Sequence, residues 1–432
     1  MESRLPESKL RRSLVGGRAA AKLGGGLVEY LASKPFRSPE GRVAAKEELD
    51  EKSAQIIFNC LSLLKGTALK VAQLLSLELE LFPPAIQREL QKSYNQVPPL
   101  NRVLARKAVQ NSLGRPPEEV FARFEPTAFA AASLGQVHRA RSHEGRDLAV
   151  KVQYPGIQRT IKSDLQLLRG VLWPLPDYRL IAPALDEIEA RLLEEIDYVK
   201  EAANLTFFGS RLGLPGVTIP APYAPASSAT VLSATYLAGL PLNLWLKTNP
   251  GQEERDRVAQ RLNDIFLESL YELHCIHADP NPGNFIIDDE LGLGLVDFGC
   301  VKRLDDEFVQ IYRQMPGCII RGRQDEYFAL LRTLKVLPPG LDPKIEDDIF
   351  RAVYGFGQWL DQIFRTERFD FAAEPGFIAA GKVQMQAMYK YRGHITVNPQ
   401  IIFLNRTRYG LLRVFQQMGA RVRLRNPYEW DS

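Results

Sequence analysis

Ile276-His277-Ala278-Asp279-Pro280-Asn281-Pro282-Gly283-Asn284-Phe285, followed after nine residues by Leu295-Val296-Asp297-Phe298-Gly299, is the stretch on which the fold of this chain turns. Apolar runs at 284–287 and 293–296 flank the turn-forming Asp288–Gly292, a spacing that predicts an antiparallel hairpin. Such a hairpin places Asn284 and Asp297, thirteen residues apart in sequence, at one point in space. The preceding loop holds a further carboxylate, Asp279, within five residues of Asn284.

That set of side chains has a chemical reason. Phosphoryl transfer needs one carboxylate near the acceptor hydroxyl, and it needs oxygen ligands from an Asn and a second Asp to hold Mg²⁺ against the phosphates. His277, Asp279 and Asn284 fit the H-x-D-x-x-x-x-N pattern of a kinase catalytic loop, and Asp297-Phe298-Gly299 is a DFG. Upstream, Leu148-Ala149-Val150-Lys151-Val152 puts a lysine on an apolar strand, where it must find a counter-charge or reach water. In a kinase-like site that lysine contacts nucleotide phosphates and pairs with a helix glutamate. Where a glycine-rich phosphate loop would stand, the chain has Phe129-Ala130-Ala131-Ala132-Ser133-Leu134-Gly135. Each alanine adds a Cβ and restricts φ, so the spacing predicts a stiffer, altered cradle.

Around this centre the 432 residues divide into a flexible or weakly helical basic stretch (1–40), a helical extension (41–116), a small lobe with a helical insertion (117–238) and a large helical lobe (239–432). Ala44 to Leu81 has helical periodicity, and a long helix is expected from Ala184 to Phe208. The fold class expected is α+β, a bilobal kinase-like fold with a helical N-terminal extension. Lysine plus arginine total 55 against 51 acids, a net charge of +4 that gives no footprint for nucleic acid. Four widely spaced cysteines form no CxxC pair and fit a reducing compartment. No apolar run reaches the ~18 residues of a membrane span, and no signal peptide is evident. A cytoplasmic protein is expected, with the option of a peripheral membrane association.

Taken together, these features resemble the atypical kinase-like family called ABC1, UbiB or aarF-related, whose mitochondrial members are the Coq8-type coenzyme Q proteins. That family carries an alanine-rich loop, a KxGQ motif in a helical extension, an ExD motif before the αC glutamate, and the loop H-A-D-P-H-P-G-N. Here Lys70-Val71-Ala72-Gln73 and Glu195-Ile196-Asp197 take the KxGQ and ExD positions, with Ala72 for glycine, and Asn281 replaces the second histidine of the loop. Thr235 stands where a hinge glutamate is usual. The resemblance implies ATP or ADP with Mg²⁺ as ligands, Asp279 as catalytic carboxylate, Glu201 as partner of Lys151, and Asn284 and Asp297 as metal ligands. It also implies that Lys70 and Gln73 lie near Glu195 over the site, that residues 130–133 contact phosphates, and that the pathway concerns ubiquinone or another isoprenoid or quinone lipid. From the segment alone, a solvated face on an amphipathic helix is the favoured reading of Lys70 and Gln73. A nucleotide-binding scaffold with little turnover and a small-molecule kinase are the rival functions.

One feature stands apart from these motifs. Arg406, Arg408, Arg413, Arg421, Arg423 and Arg425 fall in a 405–426 stretch without an acid, interleaved with apolar residues. It reads either as a basic amphipathic helix on anionic lipid or as a terminal helix packed on the large lobe.

Overall fold

A computed structural model describes residues 9–63, 101–132, 134–175, 178–391, 394–395 and 398–430. They form two compact units: residues up to Lys200 with Tyr223–Ala234, and Glu201–Pro222 with the chain from Thr235 on.

The first unit is built on a mainly antiparallel sheet. Strands β1 (Arg123–Phe124), β2 (Ala130–Ala132), β3 (Gly135–Arg141), β4 (Asp147–Gln153) and β6 (Val231–Thr235) belong to it, in the order β1-β3-β4-β6 with β2 also pairing on β3. Alternation decides its faces: Gln136, His138 and Ala140 of β3 are buried with Leu148, Val150 and Val152 of β4, while Arg139 and Arg141 face solvent. Val109 and Phe121 complete that core.

A second core in this unit is helical. It joins α1 (Lys9–Ser33), α2 (Pro39–Leu63), α4 (Ile157–Leu172) and α5 (Tyr178–Glu195), α3 being Arg102–Leu113. Ile157, Ile161, Leu165, Leu168 and Leu172 form one stripe of α4 at three- and four-residue spacing, and Ala19, Leu23, Ala54 and Ile57 pack with it. The basic N-terminal stretch, expected to be flexible or weakly helical, is therefore helical from Lys9, held by Ala19 and Leu23.

The single helix expected over Ala184–Phe208 is two, α5 and α6 (Tyr198–Arg211), broken at Ile196-Asp197. Asp197 Oδ1 accepts from Lys200 N–H at 3.0 Å, so its side chain starts a new helix as an N-cap.

The second unit contains a four-stranded sheet in the order β5-β10-β9-β7, from Val217–Thr218, Leu293–Leu295, Phe285–Ile287 and Leu240–Pro241. The expected hairpin is present: Ile287 pairs with Leu293 and Phe285 with Leu295. Two further ladders had no clear sequence signal, β8 (Cys275–His277) with β11 (Val301–Arg303) and β12 (Phe369–Asp370) with β13 (Arg421–Val422). Strands of two or three residues are too short to show alternation.

Helices α7 (Gln252–Tyr271), α8 (Pro343–Asp361), α9 (Phe377–Tyr389), α10 (Pro399–Met418) and the short α11 (Pro427–Trp430) supply much of the remaining mass. The acid-free stretch lies largely in α10, and the structure makes it a packed helix. Leu404, Leu411, Leu412, Phe415 and Met418 are buried, and buried Arg408 is ion-paired with Glu429 of α11. Tyr271 O–H and Asn426 Nδ2 also donate to that carboxylate, at 2.6 and 2.8 Å. Burial alone would raise the Glu429 carboxyl, but the Arg408 charge and these donors hold it below the usual carboxylate range.

Candidate functional site

In the second unit the antiparallel ladder of β8 and β11 sets Val301 opposite His277, so the loop leaving β8 and the segment entering β11 run side by side. Ala278 N–H donates to Cys300 C=O at 2.9 Å, extending the pairing to the residue before Asp279. On the other side, Val296 N–H donates to Asn284 C=O at 3.1 Å. Asp279, Asn284 and Asp297 are thereby gathered at one end of two small ladders.

Local hydrogen bonds hold their side chains. Asn284 Nδ2 donates to Asp279 Oδ2 at 3.0 Å and to Asp279 C=O at 3.3 Å. Because both bonds use the amide nitrogen, the amide oxygen is turned away from Asp279. Asp297 Oδ1 accepts from Gly299 N–H at 3.1 Å, an Asx-type turn that orients the carboxylate. His277 Nε2–H donates to Asp297 C=O, and the imidazole lies edge-on to the Phe298 ring at 5.2 Å. Asn281 Oδ1 accepts from Gly283 N–H at 3.0 Å, capping the single turn Pro282–Asn284. The residue that departs from the family's second histidine thus has a structural task.

Helix α6 anchors the DFG segment. Glu201, Asn204 and Phe208 stand at i, i+3 and i+7, on one face. Phe298 N–H donates to Glu201 Oε1 at 3.2 Å, Asn204 Nδ2 donates to Phe298 C=O at 3.0 Å, and Phe208 packs on the Phe298 ring at 5.0 Å. Phe298 is fully buried. Asn204 and Phe208 were not anticipated; the available signal was their helical spacing from Glu201.

The first unit carries the other candidates. Lys151 lies in β4 opposite Val137 and is half-buried, on the face opposite Val150 and Val152. Ala130, Ala131 and Ala132 form β2, paired in register with Val137, Gln136 and Gly135, so the expected loop is one strand of a hairpin. The one glycine is needed for packing: a Cβ on Gly135 would lie 2.4 Å from Val152 O and 3.1 Å from Tyr198 Oη. Glu195 is half-buried at the end of α5. Gln153, two residues after Lys151, donates through Nε2 to Ile196 C=O, which ties the α5–α6 break to the strand bearing the lysine. Gln153 had no sequence signal. Lys70, Gln73 and Ser133 lie outside the described residues.

His138 is buried between Glu125 C=O at 2.8 Å and Gln136 Nε2 at 2.8 Å. Since Nδ1–H donates to the carbonyl, Nε2 accepts from the amide and the ring is neutral. Burial lowers its pKa, outweighing the bond to Glu125.

A strand lysine, an H-x-D-x-x-x-x-N loop and a buried DFG on an α+β scaffold define a kinase-like protein. The family model of the ABC1 atypical kinase-like domain matches residues 92–327, over half of the chain, and the chain belongs to that family. It is 28% identical to "Atypical kinase COQ8B, mitochondrial" of Danio rerio, over 99% of this chain and 69% of that protein. The COQ8B of Rattus norvegicus is 29% identical over 80% of this chain and 66% of that protein. "Protein ACTIVITY OF BC1 COMPLEX KINASE 8, chloroplastic" of Arabidopsis thaliana is 30% identical over 68% of this chain; the chain spans 41% of it. Among solved structures, the Rv3197–erythromycin complex from Mycobacterium tuberculosis superposes with a TM-score of 0.61 at 25% identity, covering 89% of this chain and 96% of that one. Among the described residues no helix is long and apolar enough to cross a membrane. Nor do three or more His, Cys, Asp or Glu side chains cluster there as a metal site.

Proposed function

We propose that the protein is a Mg²⁺-dependent, ATP-binding atypical kinase or ATPase that serves ubiquinone or other isoprenoid-lipid metabolism at a membrane surface. The observation that carries this reading is the gathering of Asp279, Asn284 and Asp297 about one hairpin, with Asn284 bonded to Asp279 and the Asp297 carboxylate held by Gly299 N–H. The donor set suits the ion: Mg²⁺ favours hard oxygens, takes one or two carboxylates from the protein and fills its shell with phosphate and water. An amide oxygen from Asn284 and the Asp297 carboxylate meet that need without a third acid.

In the proposed mechanism, Asn284 and Asp297 hold the metal, and Lys151 contacts the nucleotide phosphates. A magnesium ion held by Asn284 and Asp297 would supply positive charge that offsets the negative charge of the phosphates. Glu201 serves twice, as charge partner of Lys151 and, through Oε1, as acceptor from Phe298 N–H that keeps the DFG turn in place. Asp279, oriented by Asn284, accepts the proton of the attacking hydroxyl or water as the terminal phosphorus–oxygen bond breaks and ADP departs. The β2–β3 hairpin, alanine in place of glycine, would contact the phosphates. Lys70 and Gln73 act with Glu195 on the same site.

Binding tests the metal assignment. Saturating Mg·ATP at a hundredfold over Kd stabilises a folded protein by about 2.7 kcal/mol. The wild type is expected to show a corresponding rise in melting temperature, and Asp297→Asn to show none. An equal rise in both removes Asp297 from the site.

A further inference from the structure

Glycine is a poor residue for a helix interior, yet Gly410 sits near the middle of α10. The space beside it is taken. A Cβ on Gly410 would lie 2.3 Å from Pro280 Cγ and 3.3 Å from Pro280 Cβ. Pro280 directly follows Asp279 in the catalytic loop.

The kind of neighbour decides what that distance means. A long side chain could swing aside, but the proline ring is closed on its own backbone nitrogen and cannot rotate away. Relief would need movement of the loop backbone or of the helix. The helix is held: Leu404, Leu411 and Phe415 are buried, and Arg408 is locked to Glu429. Leu411 and Pro280 share the wall of a cavity of about 20 Å³ with His277 and Phe285, too small to take up a displaced ring. The loop is the softer partner, and Asp279 and Asn284 lie in it.

We propose that Gly410 is a positioning residue for the reaction. The absent side chain on α10 sets the seat of Pro280 and, through the adjacent peptide, the place of the Asp279 carboxylate. A helix beyond the 92–327 family match is thus part of the catalytic apparatus. This rests on the reading of Asp279 as the catalytic carboxylate.

The test is Mg·ATP-dependent phosphate release by the full chain, comparing wild type, Gly410→Ala, Pro280→Ala, the double variant and Asp279→Asn. Gly410→Ala should lower kcat about tenfold or more while KM stays within about twofold, since misplacement near 1 Å costs up to ~100-fold. The double variant, lacking the ring carbons Cγ and Cδ, should return to the rate of Pro280→Ala alone. A glycine that matters only to folding predicts instead an unchanged kcat per folded molecule in Gly410→Ala. Gly410→Ala at the wild-type rate, or a double variant about tenfold below Pro280→Ala, overturns the proposal; the second comparison decides it even if Gly410→Ala does not fold. If instead Asp279→Asn matches wild type, the catalytic reading itself fails and the proposal falls with it.

Discussion

The two units fix their working parts by different means. In the second, polar side chains hold one another: Asn284 on Asp279, His277 on the Asp297 carbonyl, and Arg408, Tyr271 and Asn426 on Glu429. In the first, the β2–β3 hairpin is shaped by strand register and by the missing Cβ of Gly135, and its buried polar centre is a neutral histidine. The contrast teaches that the polar-held groups of the second unit should yield to isosteric polar changes, which strip a charge or a donor, whereas the hairpin of the first, like the Gly410–Pro280 contact of the second, should yield to a single added methyl group.

The largest stability effect should follow from Glu429→Gln. The change is nearly isosteric, but it leaves the Arg408 guanidinium buried without its counter-charge, at a cost of about 3–5 kcal/mol. Urea unfolding of the second unit measures it, and a loss below about 1 kcal/mol would break the contrast. Gly135→Ala comes next. Its Cβ meets the Val152 backbone oxygen, which cannot swing aside, so a destabilisation of about 1–3 kcal/mol is expected in the first unit. An unchanged or raised stability would show that the hairpin has slack.

The smallest effect concerns pH. His138 titrates in the fold below its usual value near 6.5, so the unfolded chain takes up the proton first. Stability from this group is complete above pH 6.5 and falls as pH drops through and below it. Glu429, lowered from 4.5, keeps its contribution down to about that pH and loses it only below. Unfolding followed from pH 7.5 to 3.5 should therefore weaken the first unit before the second. His138→Gln should reduce the slope between pH 7 and 5, and an unaltered slope would sharpen attention on other groups.

How far the sequence reveals the molecule follows the same division. The hairpin of the candidate site was legible because a few side chains with distinct chemistry stand at fixed spacing, and the turn at Asp288–Gly292 allows one pairing. Lys151 was legible because a cation in an apolar strand needs a reason. The α5–α6 break was not, because helical periodicity runs on through Ile196 while the capping bond of Asp197 is local. Nor could the acid-free stretch be assigned, since the acid that neutralises Arg408 lies at position 429, beyond it. Gln153, Asn204 and Gly410 act through contacts distant in sequence, which no local pattern encodes.

The central claim is that the Asp279 carboxylate, aimed by Asn284, carries the chemistry of a magnesium–nucleotide site. Steady-state phosphate release during a magnesium titration at fixed ATP, wild type against Asp279→Asn, tests it most directly. The account predicts metal-dependent release that drops by about 10²–10⁴ in the variant, with nucleotide affinity preserved. Equal release from both proteins at every magnesium concentration would contradict it.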